Sequence, residues 1–349
     1  MDKKFFMGIA AMAALTLVSC SSDDLNSLSD NSSKNEAISF DGYLGRSAVA
    51  VNGTRGSVET KETLKTKGFG VFSKYDAGTA SFPDFVNQKV TCPDTKWTYS
   101  PLKFWPTQGK IDFLAYAPYV DNKTLNNTSF EFTVDPDVAK QTDLLWANAK
   151  EQAKTDKEPV KFSFNHALSR LGYTVKLYGD YSSTDATNKA TFKLNQITLA
   201  GSADGKTPAF YKKATIDLSK APSEGPWSNQ SSSDKQKIDW VSTPYDLTST
   251  KAYNPDTNNN YLFVIPQDFS KTTEGADKLY VIVEYTITYN DGKTQTNKVY
   301  RQLKQNFLQG KAYMLNMTIG LPIEFDVTVV EGWGDDNVVG EDSWVDINH

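Results

Sequence analysis

From Ile38 onward, apolar and polar positions alternate with a period of two, and the three-and-four spacing of a helix is nearly absent. The clearest stretch is Leu279 to Tyr289. Leu279, Val281, Val283, Tyr285, Ile287 and Tyr289 fall on one face, and Glu284, Thr286 and Thr288 on the other. Asn290-Asp291-Gly292, residues that tolerate positive φ, then lead into a second alternating run, Thr294 to Leu303, and the two predict a long β-hairpin. Further strands are expected over Phe69 to Tyr75, Lys110 to Ala117, Lys161 to Phe164, Gly172 to Tyr178, Thr191 to Leu199 and Tyr261 to Ile265, each bounded by turn-forming residues. Many short strands with few helices between them point to an all-β chain of antiparallel sandwiches, not to a parallel sheet with helical crossovers.

Between the strands, Asp137 to Lys150 reads as a short helix packed through Leu144, Leu145 and Trp146, and the charged run Glu151 to Pro159 as an exposed loop. A boundary near Asn165 then divides the body into two domains, 37–165 and 166–349. The length supports this, since about 150 residues is an ordinary domain size. Ser202 to Pro255, rich in Ser, Lys, Asp and Pro, reads as an elaborated loop region pinned by Trp227 and Trp240.

The start of the chain follows a different pattern. Lys3 and Lys4 precede an apolar run from Phe5 to Val18, and Ser19 and Cys20 follow. That order is a secretory signal over 1–19; the run is shorter than the roughly twenty residues a membrane-crossing helix needs. Leu17-Val18-Ser19-Cys20 resembles the bacterial lipobox, which makes Cys20 the lipidated first residue of the exported form. Several acyl chains on one terminus give a stable membrane anchor. Residues 20–36, dominated by Ser, Asn and Asp, cannot bury enough apolar surface to order themselves and read as a flexible tether.

The net charge of −5 offers no positive field for nucleic acid, so DNA and RNA are not expected partners. With Cys20 lipidated, Cys92 has no partner for a disulfide and reads as a small buried residue. The histidines are His166 and the terminal His349. His166 lies in the strand-like Phe162-Ser163-Phe164-Asn165-His166-Ala167-Leu168, where a structural role outweighs a catalytic one. Phosphate-loop, zincin and dinucleotide signatures are missing, and the pair Asp335-Asp336 lacks the spacing of a calcium loop. No catalytic constellation, metal site or cofactor is expected.

Several segments, in this order, resemble the fimbrillin family, the type V pilins of Gram-negative gut and mouth anaerobes. They are Ile38-Ser39-Phe40, Thr54-Arg55-Gly56, Gly70-Val71-Phe72, Ile111-Asp112-Phe113-Leu114-Ala115-Tyr116-Ala117-Pro118, Asp143-Leu144-Leu145-Trp146-Ala147, Phe164 to Leu171, Gly310-Lys311-Ala312-Tyr313 and a final strand closing on Trp333. The resemblance implies two tandem transthyretin-like β-sandwiches, a lipidated precursor in the outer membrane, and an arginine-specific protease that removes the lipidated segment with its first strand. It implies that a strand from a neighbouring pilin subunit then fills the vacated groove, and that the polymer meets a host or bacterial surface ligand.

On that resemblance the candidate cuts are Arg46 and Arg55. Arg55 is favoured because it follows the strand-like Ile38 to Val51 in a glycine-rich turn. The donor strand has two candidates. Ile323, Phe325, Val327 and Val329 alternate with Glu324, Asp326 and Thr328, a pattern equally suited to an ordinary last strand. The tail, with Val338, Val339, Trp344, Val345 and Ile347, is the other. A different class of function, a surface glycan-binding lipoprotein, shares the lipobox, the sandwiches and the abundance of Trp and Tyr.

Overall fold

The computed structural model describes residues 36–44, 59–75, 84–154, 158–182, 189–230, 234–241, 243–252 and 261–320, and the backbone of two strands, Glu324–Val329 and Trp344–Val345. The chain is all-β, with several sheets. β1 (Phe40–Leu44) is followed by α1 (Lys61–Lys67), β2 (Phe69–Tyr75), β3 (Gln88–Val90), β4 (Ile111–Ala117), β5 (Ser129–Thr133), β6 (Leu145–Gln152) and β7 (Val160–His166). Six of these strands form one sheet in the order β1-β7-β6-β4-β2-β3.

Helix α1 starts at a capping box. Thr60 Oγ1 accepts the Thr63 N–H at 3.2 Å and Thr63 Oγ1 accepts the Thr60 N–H at 2.7 Å, so two of the helix's orphan donors are satisfied. Leu64, its buried residue, drops into the same core as Phe69, Phe113 and Phe162.

After His166 the chain builds a second set of sheets. β8 (Ser169–Leu177) lies between Leu262–Val264 and Ala312–Ile319, and Glu324–Val329 adds outside the latter. β9 (Ala190–Ala200) pairs along its length with Tyr280–Tyr289, which turns back into Thr294–Leu303. In that hairpin Leu279, Val281 and Val283 are fully buried while Tyr289 reaches solvent at 42% exposure, so the alternation fades towards the turn. Gly292, at φ 81°, takes the positive φ that the turn requires.

Three apolar clusters hold these layers together. One draws on residues 38–164, a second on Val138 and residues 171–319. The third joins both sides: Tyr116, Phe130, Leu144 and Trp146 pack with Ile216, Leu218, Phe263 and Ala312. Polar links reinforce that junction. β5 pairs with Lys213–Asp217, Gln141 Oε1 accepts the Phe263 N–H at 2.8 Å, and Asn148 Nδ2 donates to Leu218 O at 2.8 Å.

Several expectations are corrected. Asp137 to Lys150 is not a helix: a single 3₁₀ turn covers Val138–Lys140, and Leu145 opens β6. Leu144 and Trp146 face the shared cluster while Leu145 and Ala147 face the first core. A strand buried on both faces shows a continuous apolar run and loses the alternation that identifies it. Glu151 and Gln152 belong to the end of β6 rather than to a loop. The region after Ser202 carries short strands between its loops, among them Phe210–Tyr211, Lys213–Asp217 and Ile238–Val241, and Trp240 is buried against Tyr173. Nor is the pairing purely antiparallel, because β1 with β7 and β8 with Ala312–Ile319 are parallel.

Candidate functional site

β1 behaves as a plug in a groove. Ile38, Phe40 and Leu44 point inward and are 1%, 4% and 4% exposed, whereas Tyr43 points outward at 54%. The Phe40 ring meets Phe85 and Phe113 edge-on, both at 5.3 Å, stacks on Phe162 at 5.6 Å and leans on Tyr99 at 5.5 Å. Burying each inward side chain is worth about 1.5–3 kcal/mol relative to exposing it.

Backbone pairing seats the plug. β1 runs parallel to β7, with Phe40 opposite Val160 and Leu44 opposite Phe164. The Ile38 N–H donates to Lys103 O at 2.8 Å, and Trp105 N–H donates to Glu36 O at 3.0 Å. Tyr99 O–H donates to Ile38 O at 2.6 Å; burial pushes this phenol above its usual pKa, which keeps the donor proton in place. Taking β1 away would leave the apolar trough and one backbone edge of β7 open to water, both unfavourable.

The chain re-enters the described body at Glu59. Its N–H donates to Asp143 Oδ2 at 3.2 Å, its Oε1 lies 2.5 Å from Lys67 Nζ, and Asp143 Oδ2 is 2.6 Å from His166 Nδ1. Glu59 and Asp143 are fully buried, and Glu59 Oε2 and Asp143 Oδ1 have no hydrogen-bond partner among the described residues. Burial raises the Glu59 pKa against the opposing pull of Lys67. This cluster fixes the main chain just after the segment that carries the candidate cuts. The sequence reading identified His166 as structural but missed Glu59, which no periodic pattern marks.

Cys20, Arg46, Arg55, Ile323, Val338, Val339 and Ile347 lie outside the described residues. The chain's other arginines are placed: Arg170 is buried in β8 over the Tyr261 ring, and Arg301 sits half-buried in a strand opposite Val281. Arg46 and Arg55 are the arginines between β1 and the Glu59 cluster. Of the donor candidates, the Phe325, Val327 and Val329 backbone pairs antiparallel with Ala312–Ile319, opposite Met317, Leu315 and Tyr313. The Trp344 and Val345 backbone pairs with Leu303 and Gln302 at a sheet edge. Neither stretch adjoins β1, whose ladder neighbour is β7.

Among the described residues, most tryptophans are engaged in packing or hydrogen bonding. Trp105, Trp146 and Trp240 are buried, and Trp227 donates its Nε1–H to Ala167 O at 2.6 Å. Cys92 is buried, as expected of a small core residue.

Comparison with known proteins agrees with this architecture. A family model described as fimbrillin-like matches residues 54–333. The chain is 26% identical to the fimbrium subunit Fim1C of Phocaeicola vulgatus, over 94% of this chain and 96% of that protein. The crystal structure of a fimbrial protein from Bacteroides vulgatus is similar in fold, with a TM-score of 0.58 and 19% identity, covering 86% of this chain and all of that one (100%).

Proposed function

Because the chain belongs to the fimbrillin-like family, we propose that it is exported as a precursor lipidated at Cys20, cut by an arginine-specific protease and built into a fimbrium by strand exchange. A fimbrial subunit acts at the cell surface and associates with other pilin subunits; the maturation steps are our reading. The cut at Arg55, or at Arg46, severs β1 from the body and frees the lipid anchor. β1 then holds by its ladder and its side-chain packing alone. A strand from the tail of a neighbouring subunit displaces it, restoring the β7 edge and refilling the trough in one step.

The observation that carries this reading is the position of the plug. β1 contributes Phe40 to an aromatic cage, yet it joins the rest of the domain through a segment containing both candidate arginines. The Glu59 cluster fits the same scheme, since it keeps the new start of the chain tied to Asp143 after the cut.

Electron microscopy of cells lacking the protein, and of cells complemented with the wild type or with Arg46→Ala/Arg55→Ala, tests the proposal. Filaments should return with the wild type and not with the double variant, whose chains stay on the outer membrane as single lipidated precursors. Filaments of normal abundance from the double variant would overturn the maturation route.

A further inference from the structure

Gly42 is the inward position of β1 that carries no side chain, between Phe40 and Leu44. A Cβ placed there would lie 3.0 Å from Phe69 Cε1 and 3.1 Å from Trp97 Cζ2, tighter than ordinary carbon contacts. Phe69 is fully buried and wedged by Phe162 at 5.6 Å and Phe164 at 5.2 Å, so it has nowhere to retreat. Trp97 is half-buried and closes the other side, its ring 5.0 Å from Phe69. Serine or alanine would fit if the strand backed off Phe69 by a few tenths of an ångström and Trp97 gave by as much. A branched side chain would force rings out of a packed core.

Resting on the strand-exchange reading, we infer that this slot sets the register of the strand that replaces β1. The incoming strand must present two apolar residues and then a small one at alternate positions, matching Ile38, Phe40 and Gly42. Because side chains alternate with period two, a slip of one residue would turn the polar face into the trough, and the slot rejects a slip of two.

The slot also discriminates between the donor candidates. The face formed by Ile323, Phe325, Val327 and Val329 has no small residue, and the opposite face carries Glu324 and Asp326. In the tail, seating Gly340 in the slot puts Asp336 or Asp342 at a deep apolar position, whichever direction the strand runs. Seating Ser343 with the tail parallel to β1 puts Glu341 in the Phe40 cage. In the reverse direction Ile347, Val345 and Ser343 fall at the positions of Ile38, Phe40 and Gly42, and Glu341 meets the position of Leu44 at the strand's end. Within residues 338–349 this register alone leaves both the Ile38 and the Phe40 positions apolar, at the cost of Glu341 at the buried Leu44 position, so a tail that fills the groove enters antiparallel to β1. The exchange replaces a parallel pair on β7 with an antiparallel one, the slightly more stable ladder.

The test uses the chain from residue 21 onward, cut by an arginine-specific protease, with labelled synthetic peptides covering residues 37–45 and 339–349. Incorporation is read by fluorescence polarisation and by the mass of the complex. Both native peptides should enter as β1 leaves. Gly42→Val in the first and Ser343→Leu in the second should each bind at least tenfold more weakly, and Glu341→Leu should bind more tightly. Equal binding of the Gly42→Val and native peptides would overturn the slot while leaving strand exchange intact. Selective binding of the first peptide with no binding of the second would overturn the tail assignment. Loss of β1 with no peptide entering would overturn the exchange reading itself.

Discussion

Phe40→Ala separates the strand that leaves from the groove that stays. Phe40 is 4% exposed and touches four aromatic rings, so truncation removes most of a buried phenyl and leaves a cavity among residues held by their own packing. Changes of this kind cost about 3–5 kcal/mol. In the uncut precursor that loss should appear as a lower urea midpoint with no polymer formed. After the cut it acts on β1 alone, since the incoming strand brings its own side chain to the cage. A penalty of about 4 kcal/mol corresponds to roughly a thousandfold weaker hold on β1, so ladders seen by gel electrophoresis should form much faster than in the wild type. Phe113→Ala is the control, because Phe113 lines the groove and would serve β1 and the donor alike. It should destabilise the precursor similarly but accelerate ladders less, because it weakens the seat of the incoming strand as well as that of β1. If Phe40→Ala slows ladder formation, or if the two variants behave alike after cleavage, β1 is a permanent core strand.

Cys20→Ala should move the precursor from the membrane fraction to the soluble one and abolish uptake of labelled fatty acid; retention with labelling would exclude lipidation at that residue. Deleting residues 338–349 should block ladder formation after cleavage while lowering the urea midpoint of the monomer only slightly, through loss of the two-residue pairing on Gln302 and Leu303, and ladders from the truncated chain would exclude the tail as donor. Burial holds the Glu59 pKa above its ordinary value, so the folded state binds that proton more tightly than the unfolded state. The group's stabilising contribution is complete at acidic pH and is lost as pH rises from the ordinary value through the raised one. Glu59→Gln should remove this dependence, giving a flatter profile of urea midpoint against pH over that window; superimposable profiles would show that Glu59 does not titrate there.

Strands bounded by turn-forming residues were legible in the sequence, even where both faces are buried, as in β2, whose Phe69 and Val71 face one core and Phe72 another. β2 spans the expected Phe69 to Tyr75, and the hairpin strands fall within a residue of their expected limits. β6 was misread because its continuous Leu-Leu-Trp run, buried on both faces, has no period to separate strand from helix. The short strands after Ser202 were hidden for another reason: two to five residues are too few to establish alternation. Helix α1 has one buried residue and a polar surface, and its signal was the Thr60-to-Thr63 capping box, not a hydrophobic stripe. Within the groove, the apolar alternation of Ile38 and Phe40 was legible. The parallel pairing with β7, the slot at Gly42 and the buried Glu59–Asp143 contact depend on residues far apart in sequence that only the fold brings together.

A reconstruction of purified filaments at a resolution that traces side chains would test the central claim most directly, by identifying the chain that lies beside Val160–His166. The account predicts that residues 36–44 are absent from the assembled subunit and that the strand next to β7 comes from the tail of a neighbouring copy, running antiparallel, with a small residue between Phe69 and Trp97. Density for Ile38, Phe40 and Leu44 of the same chain in that groove, in subunits joined by other surfaces, would contradict it.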